Sequence, residues 1–412
     1  MAGGAKDPPR DARPTHEVRL GDDERIGCLQ LIRSENVGPV TFRELLRHFG
    51  SAAAAIDGLP ELAARSGRRV RVASRADAER EIAQLARLGG RVVAISEPDY
   101  PAWLKAIDAA PPLISVRGSV DVLVRPMIAI VGARNASVVG RKLAGMLARD
   151  LGAAGFVVAS GLARGIDAAA HEAALEGGTV AVFAGGLDRL YPPENAALAD
   201  RIVAAGGAHV SEMPLGWEPR ARDFPRRNRL VSGMASGTII VEAAQRSGSL
   251  ITARLAGEQG RAVFAVPGSP LDPRAAGANQ LIKQGAHLVT EAADVLEIIA
   301  PMIGQAFAPR ADWLSASDGA PGLAEPEWGD DGIDSGVPAL GGARAEDESG
   351  LVDPSPGERE RLIEALGPVP TEIDALIRFT GLSAALVQVL LLELDLAGRI
   401  ERHAGQRVSL FD

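Results

Sequence analysis

The sequence predicts an α/β protein whose central domain is a doubly wound parallel sheet between two layers of helices. Short runs of Val, Ile and Ala alternate with helical patterns between residues 90 and 290. The runs are continuous rather than alternating in polarity, which indicates strands covered on both faces. Several of them end in a small Gly-rich turn, as in folds that place a helix after a strand. The predicted strands are residues 92–96, 113–116, 128–131, 157–160, 180–184, 239–241 and 263–266.

Residues 20–85 predict a small helical module, preceded by residues 1–19, which are too rich in Pro, Gly and charge to order themselves. An apolar stripe begins at Ile26, and the turn at residues 36–39 ends it. Thr41 is then predicted to cap a helix over residues 42–49. A helix-turn-helix of this kind can hold a DNA backbone through its Gly turn, or it can pack against a neighbouring element. The sequence leaves both open.

Helical patterns over residues 140–151, 168–175 and 250–258 complete a central domain predicted for residues 86–304. Residues 305–355 are acidic and rich in Pro, Gly and Ser, which predicts a flexible linker. The tail, residues 356–412, predicts a winged helix made of three helices and a hairpin. Its predicted elements are helices over 358–366, 371–379 (capped by Thr371) and 383–396, and a hairpin over 400–410.

The net charge of −9 resides in one segment. Between residues 311 and 350 ten acidic residues stand against a single base, Arg344, so the rest of the chain is neutral overall and permits a local basic surface. A single cysteine, Cys28, excludes an intramolecular disulfide and favours a reducing compartment and a core position for that thiol. No apolar run approaches the roughly 20 residues that cross a bilayer, and no signal peptide is evident. We therefore expect a cytoplasmic protein without membrane contact.

Small turns with arginines follow the predicted strands, where an open parallel sheet binds its ligands. The turns comprise residues 132–137, 160–165, 185–188, 242–249 and 267–269. They would expose backbone N–H groups at helix N-termini, an arrangement that suits phosphate. We expect Arg134 to join such groups ahead of the helix from residue 140. The alternative is a solvated arginine, or one paired with Glu242 or Asp188.

Cofactor and catalytic sites find little support in these turns. The dinucleotide fingerprint G-x-G-x-x-G is absent from them, and the chain contains no Gly-Lys-Ser/Thr of a P-loop. His171 has no second histidine four residues later, and Asp167 with His171 predicts a helix-start interaction rather than a metal-ligand pair. Ser160, Ser247 and Ser249 have no base beside them in sequence. We expect no cofactor, no metal and no catalytic residue.

A basic stretch precedes the strand at residues 239–241. It holds five arginines around Phe224, Pro225 and Asn228, namely Arg220, Arg222, Arg226, Arg227 and Arg229. A charge run is usually a solvated face, but this run belongs to the domain whose turns already carry arginines. Arginines beside an aromatic ring suit single-stranded nucleic acid, because the charges take the phosphates and the bases stack on the ring.

Six motifs in order resemble the signature of the DNA-processing protein A family (DprA, also called Smf). They are VGARNAS (131–137), SGLARGIDAAAH (160–171), GGLDRLYPPEN (185–195), FPRRNRLVSG (224–233), EAAQRSGSLITAR (242–254) and VPGS (266–269). Upstream, DYPAWLKAIDAAPPLISVRG (99–118) is similar to the family's lead-in. Six motifs in the family's order do not arise by chance.

The resemblance implies an extended Rossmann-like domain that binds single-stranded DNA without catalysis, forms a homodimer and loads the recombinase RecA onto incoming strands in natural transformation. It also implies a SAM-like (helix-hairpin-helix-like) N-terminal module and a C-terminal winged helix. By motif position the DNA-binding residues map onto Arg134, Ser160, Gly161, Arg164, Arg226, Arg227, Asn228, Arg229, Ser247 and Gly248. The chain departs in its long acidic linker and in a winged helix whose third helix has no Lys or Arg, so we expect the tail not to read DNA.

Two other functions stay open. The turn from Glu242 to Ser249 distantly resembles nucleotide phosphoribohydrolases of the lysine-decarboxylase-like group, although their Pro-Gly-Gly-x-Gly-Thr run is missing here. The second alternative is a structural adaptor that works through its winged helix and whose central domain binds no nucleic acid.

Overall fold

The computed structural model describes residues 19–65, 69–303, 354–403 and 405–411. The predicted disordered N-terminus (residues 1–19) and acidic linker (residues 305–355) lie almost wholly outside the described residues.

Four helices form the N-terminal part: α1 (Asp22–Ile32), α2 (Pro39–Phe49), α3 (Ala52–Arg65) and α4 (Arg75–Arg87). The prediction that Thr41 caps α2 is wrong: Gly38 is the N-cap and Pro39 starts the helix, because the fixed φ of proline suits the first helical position. Cys28 lies in the core of this part, as predicted, and burial raises the pKa of its thiol to about 11.

A nine-stranded sheet forms the centre of the molecule, in the order β1-β2-β6-β5-β4-β3-β7-β8-β9. Its strands are β1 (Gly90–Ala94), β2 (Leu113–Gly118), β3 (Met127–Gly132), β4 (Val157–Ser160), β5 (Thr179–Val182), β6 (Ala208–Ser211), β7 (Gly237–Val241), β8 (Ala262–Ala265) and β9 (His287–Leu288). The seven strands from β6 to β9 across the sheet run parallel, which confirms the predicted fold class. β2 pairs antiparallel with β1 on one side and with β6 on the other. The sequence pattern did not show this, because a continuous apolar run indicates burial on both faces and not strand direction.

Helices cover both faces of the sheet. They are α5 (Ala102–Lys105), α6 (Val138–Ala153), α7 (Ile166–Ala173), α8 (Ala196–Ala204), α9 (Asp223–Met234), α10 (Gly248–Glu258), α11 (Ala276–Lys283) and α12 (Ala292–Ile303). Successive residues of β3 point to opposite layers: Ile128 packs with residues of α6 and α12, whereas Ala129 packs with residues of α9 and α10. From β3 the chain builds outward to β4 on one side and later to β7 on the other. The carboxyl ends of β3 and β7 therefore flank the switch point of the sheet, where such folds bind ligands.

The tail folds as predicted into a winged helix. Its elements are α13 (Pro356–Ala365), β10 (Thr371–Glu372), α14 (Ile373–Thr380), α15 (Ala384–Leu396), β11 (Ile400–His403) and β12 (Arg407–Leu410). The prediction that Thr371 caps α14 is wrong, because Thr371 pairs with Val408 of the hairpin and the helix starts two residues later. Within the described residues no single helix is long and apolar enough to cross a bilayer; α14 and α15 meet that criterion only as a pair bent by 116°.

The third helix of the winged helix, α15, packs against the N-terminal helices. Leu392 and Leu396 belong to the same apolar cluster as residues of α1, α2 and α3. Asn36 Nδ2 donates to the Leu396 carbonyl (2.9 Å), and the Thr41 hydroxyl donates to Asp395 Oδ2 (2.8 Å). Of the two roles left open for the N-terminal module, these contacts support packing. They lie at the carboxyl end of α15, and the expectation that this tail does not read DNA stays a prediction.

Two buried histidines lie near the interior strands β5 and β6, His171 on α7 and His209 on β6 itself. His171 Nδ1 bonds the Thr179 hydroxyl (2.7 Å), and His209 Nε2 bonds the Ala199 carbonyl (3.0 Å). Within the part of the chain that the structure describes, the other ring nitrogen of each histidine has no partner. Burial lowers the pKa of His171 to about 3 and that of His209 to about 4, because a charged imidazolium would be desolvated there.

Because of these histidines, we expect the folded protein to lose stability in mild acid. In the unfolded chain both rings take up a proton near pH 6.5, whereas in the fold they stay neutral until about pH 4 or below. The unfolded state therefore binds more protons below pH 6.5, and the free energy of unfolding should fall by about 1.4 kcal/mol per pH unit for each histidine. Urea unfolding at pH 7 and pH 5.5 measures this fall.

The matched variants are His209→Gln and His287→Gln. The first should remove about half of the pH dependence, and the second should leave it unchanged, because His287 is exposed. Equal free energies of unfolding at the two pH values in the unsubstituted protein would contradict this account.

Candidate nucleic-acid interface

A cleft of about 550 Å³ lies at the switch point, beyond the carboxyl ends of β3 and β7. Six of the predicted site residues line it, namely Arg134, Gly161, Arg227, Asn228, Ser247 and Gly248. Arg164 lines a small recess beside it, together with Arg134, Tyr191 and Phe224. The folding of the sheet thus brings together turns that are more than 100 residues apart in the sequence.

An arginine stands in the connection that follows each of the six parallel strands from β6 to β8. In sheet order these are Arg220 after β6, Arg189 after β5, Arg164 after β4, Arg134 after β3, Arg246 after β7 and Arg274 after β8. Because parallel strands end at the same edge, these guanidinium groups share one rim of the sheet. Such a row suits an extended polyanion laid across the strands.

Arg134 stacks over an aromatic pair. Its guanidinium lies 5.4 Å from the centroid of the Phe224 ring, and the Tyr191 ring meets Phe224 edge-on at 5.5 Å. Tyr191 is 50% exposed. Among the described residues Arg134 has no ion-pair partner: the Glu242 carboxylate binds Ser137, and Asp188 accepts from Gly216 N. The alternative of a paired Arg134 is therefore not what the fold adopts.

The start of α6 is already occupied by a carboxylate. Glu242 Oε2 accepts from Ser137 N (2.9 Å), its Oε1 accepts from the Ser137 hydroxyl, and that hydroxyl in turn accepts from Gly140 N (2.8 Å). These contacts correct the expectation that the N–H groups ahead of this helix hold a phosphate, because the N–H groups of Ser137 and Gly140 already have acceptors. The start of α10 differs, because Ser247 and Gly248 line the cleft there and a side chain at Gly248 would meet nothing within 4 Å.

A buried polar cluster supports the floor of the cleft. Arg227 is 6% exposed; its Nη1 donates to the Val182 carbonyl (2.6 Å) and to the Gly161 carbonyl. Asp167 Oδ2 accepts from Gly161 N at 3.1 Å and Ala163 N at 3.3 Å rather than pairing with His171. Burial lowers the pKa of Arg227 to about 10 and raises the pKa of Asp167. The Ser160 hydroxyl, also buried, donates to the Ile130 carbonyl.

Helix α9 divides the arginine run that the sequence presents as one patch. Arg226 and Arg229, three residues apart, both bind the carboxylate of Glu212, and Arg229 Nη1 also donates to the Ala109 carbonyl (2.6 Å). Neither is among the residues that line the cleft. Phe224, Arg227 and Asn228 lie on the side that does line it. The periodicity of a helix therefore separates structural arginines from those near the cleft.

Sequence reasoning missed three residues of this rim. Tyr191, Arg246 and Arg274 line the cleft or its recess, yet none was singled out as a DNA contact. All three follow parallel strands, so the rule that pointed to Arg134 would have found them. Tyr191 lies within the motif at residues 185–195, and the motif alone does not show that its ring is exposed.

Two non-glycine residues with left-handed backbone stand in the turns around the cleft, Leu162 (φ 54°) and Glu242 (φ 55°). Such conformations cost about 1–3 kcal/mol and persist where the surroundings fix them. At Glu242 the fixing contacts are the hydrogen bonds to Ser137. Close approach also restricts Gly161, since a Cβ there would lie 2.3 Å from Arg227 Nη1.

Glu242→Ala should destabilise the fold. The substitution leaves the N–H and the hydroxyl of Ser137 without their acceptor and retains the unfavourable φ, so we expect the free energy of unfolding to fall by about 1–2 kcal/mol. Glu242→Gln keeps an acceptor oxygen and should lose less. Denaturant unfolding of both variants measures this, and an Ala variant as stable as the unsubstituted protein would show that the carboxylate does not hold the turn.

Family models match three segments of the chain. Residues 91–300 match the model described as DNA recombination-mediator protein A. Residues 22–83 match the DprA-like N-terminal HHH domain, and residues 346–406 match the DprA winged helix domain.

Known relatives agree with these matches. Protein Smf of Escherichia coli is 46% identical over 200 residues, which are 48% of this chain and 54% of the relative. DNA processing protein DprA of Bacillus subtilis is 42% identical over 221 residues, 53% of this chain and 74% of the relative. The crystal structure of DprA from Streptococcus pneumoniae superposes with a TM-score of 0.56 at 32% identity, over 68% of this chain and 99% of that one. The chain thus aligns with about half the length of the E. coli relative.

Proposed function

The chain belongs to the DprA/Smf family of DNA recombination mediators, and from that premise we propose that it binds single-stranded DNA of any sequence and delivers the strand to the recombinase RecA. The observation that carries the proposal is the stack of Arg134, Phe224 and Tyr191 at the mouth of the cleft. It offers an unpaired cation for a phosphate and aromatic surface for a base within one contact distance of each other.

The phosphates of the strand are assigned to the rim. Arg134 and Arg246 have no ion-pair partner among the described residues, and Arg164 Nη1 lies 4.0 Å from Glu194 Oε1. The start of α10 at Ser247 and Gly248 adds the positive end of a helix dipole. Because these groups bind the backbone and the rings stack on any base, the proposed binding does not depend on sequence.

The other predicted site residues take positioning roles in this proposal. Arg227 and Ser160 are buried; Arg227 holds the turn at Gly161 and the end of β5, and Ser160 ties the end of β4 to β3. Asn228 lines the cleft, where its amide reaches the Gly248 carbonyl at 3.5 Å. Arg226 and Arg229 fix α9 to Glu212.

We propose binding without catalysis. The Ser247 hydroxyl in the cleft bonds the Ser249 hydroxyl (2.7 Å), and the nearby Glu242 carboxylate is engaged by Ser137. Within the described ranges no group of three His, Cys, Asp or Glu side chains lies close enough to hold a metal ion. The rival nucleotide phosphoribohydrolase requires release of free base from a nucleoside monophosphate, and detectable turnover would support that rival.

Delivery to RecA, homodimer formation and a cytoplasmic site of action are proposed from the family resemblance. Two tethered clefts would raise the effective concentration of protein on one strand. Light scattering with an oligonucleotide long enough for two sites should find a dimer. An assay of RecA filament growth on single strands should show faster assembly with this protein, and an unchanged rate would contradict delivery.

Arg134→Ala tests the proposed DNA site. Losing one phosphate contact should weaken binding to single strands of any sequence and reduce the log–log salt slope by about 0.7, with the melting temperature unchanged. Fluorescence anisotropy of a labelled oligonucleotide at several salt concentrations measures the slope. The matched control is Arg80→Ala, which removes an arginine whose side chain is 64% exposed but which lies on α4, outside the cleft. Equal affinity and slope for the Arg134 variant and the unsubstituted protein would remove the centre of the proposed site.

A further inference from the structure

A second stack of an arginine on an aromatic ring lies on the same rim, in the connection between β6 and α9. The Arg220 guanidinium lies 5.2 Å from the centroid of the Trp217 ring. Arg220 is exposed and Trp217 is partly exposed. Among the described residues the Arg220 side chain has no ion-pair partner, and the neighbouring acid, Glu218, pairs with Arg189 (3.0 Å).

The connection is held in place on both sides. Trp217 Nε1 donates to Asp223 Oδ2 (3.0 Å), and Arg220 N donates to the same oxygen (2.8 Å). The Trp217 carbonyl accepts from Gly186 N (3.0 Å). The ring is therefore fixed before any ligand arrives, which lowers the entropy cost of stacking a base against it.

The same two anchors join this stack to the cleft. Asp223 directly precedes Phe224, the ring under Arg134. Gly186 belongs to the connection after β5 that also carries Tyr191, which touches Phe224. A strand that leaves the Arg134 stack along the rim toward β6 therefore passes Arg164 and Arg189 and then meets Trp217 and Arg220.

We propose that Trp217 and Arg220 form a second subsite, which takes an unpaired nucleobase on the ring or guanidinium plane and its phosphate on the charge. The proposal rests on the proposed single-strand binding at Arg134. β6 lies three strand positions from β3, or about 14 Å at the spacing of a sheet. At about 3.4 Å per nucleotide in a stacked strand and about twice that in an extended one, the two stacks lie roughly two to four nucleotides apart.

The length dependence of binding distinguishes one subsite from two. Trp217→Ala and Arg220→Ala should each weaken the binding of (dT)12 by about fivefold or more, the usual loss for one stacked base. Neither should change the affinity of (dT)2, which is too short to reach both stacks. Competition against labelled (dT)12 with the full-length chain measures both affinities, and melting temperatures check that the variants are folded.

Tryptophan fluorescence provides a second readout, independent of affinity. A base stacked on Trp217 should quench its emission, so Trp217→Phe should lose the quenching by (dT)12 while it binds with nearly unchanged affinity. The matched controls are Trp103→Phe and Arg261→Ala, because Arg261 stacks on Trp103 at 4.5 Å. Arg261 directly precedes β8 and therefore lies at the amino ends of the parallel strands, opposite the rim. Both controls should keep the quenching and the affinity.

The outcomes separate the two proposals. Weaker (dT)12 binding by the Arg220 variant together with loss of quenching in the Phe variant supports the subsite. Full affinity and full quenching in these variants, with binding still lost in Arg134→Ala, would overturn the subsite and leave the proposed function standing. Full affinity in Arg134→Ala as well would overturn the proposed function.

Discussion

The buried guanidinium of Arg227 is the contact on which the geometry of the cleft depends. It ties α9 to the ends of β4 and β5 through the carbonyls of Gly161 and Val182. Burial of a charge costs roughly several kcal/mol unless it is paired and hydrogen-bonded, and the nearby carboxylate of Asp167 opposes that cost. Because the pKa of Arg227 stays near 10, the group remains charged at neutral pH. The turn that carries Arg164 and the start of the connection that carries Tyr191 are thereby held before any ligand is present.

The arginines of α9 and of the connections after the parallel strands fall into two groups, those with and those without a carboxylate partner. Those with carboxylate partners, such as Arg226 and Arg229 on Glu212, hold the fold together. Arg134, Arg220 and Arg246 have no such partner among the described residues and lie in the connections that follow parallel strands. These connections also carry the paired Arg189 and Arg274. A chain with a net charge of −9 can thus present a local cationic surface. The carboxylate of Glu242 occupies the start of α6, whereas the start of α10 faces the cleft.

The sequence was sufficient for the parallel centre of the sheet and for the turns around the cleft, because both follow from short-range patterns. Buried strands produce continuous apolar runs, and the turns after them carry Gly and Arg. Long-range pairing was beyond such patterns: nothing local says that Arg229 meets Glu212 or that Thr41 bonds Asp395. Helix α9 was also missed, so five arginines appeared as one patch. Strand β6 was not predicted, because two of its four residues, His209 and Ser211, are polar although they are buried.

The central claim is that a single strand crosses the carboxyl edge of the sheet with a phosphate at Arg134. A crystal structure of the full chain with (dT)6 tests it most directly. We expect a phosphate oxygen within hydrogen-bond distance of the Arg134 guanidinium and a thymine stacked at Phe224 or Tyr191. A strand bound to the winged helix or to another face, with the cleft between β3 and β7 empty, would contradict it.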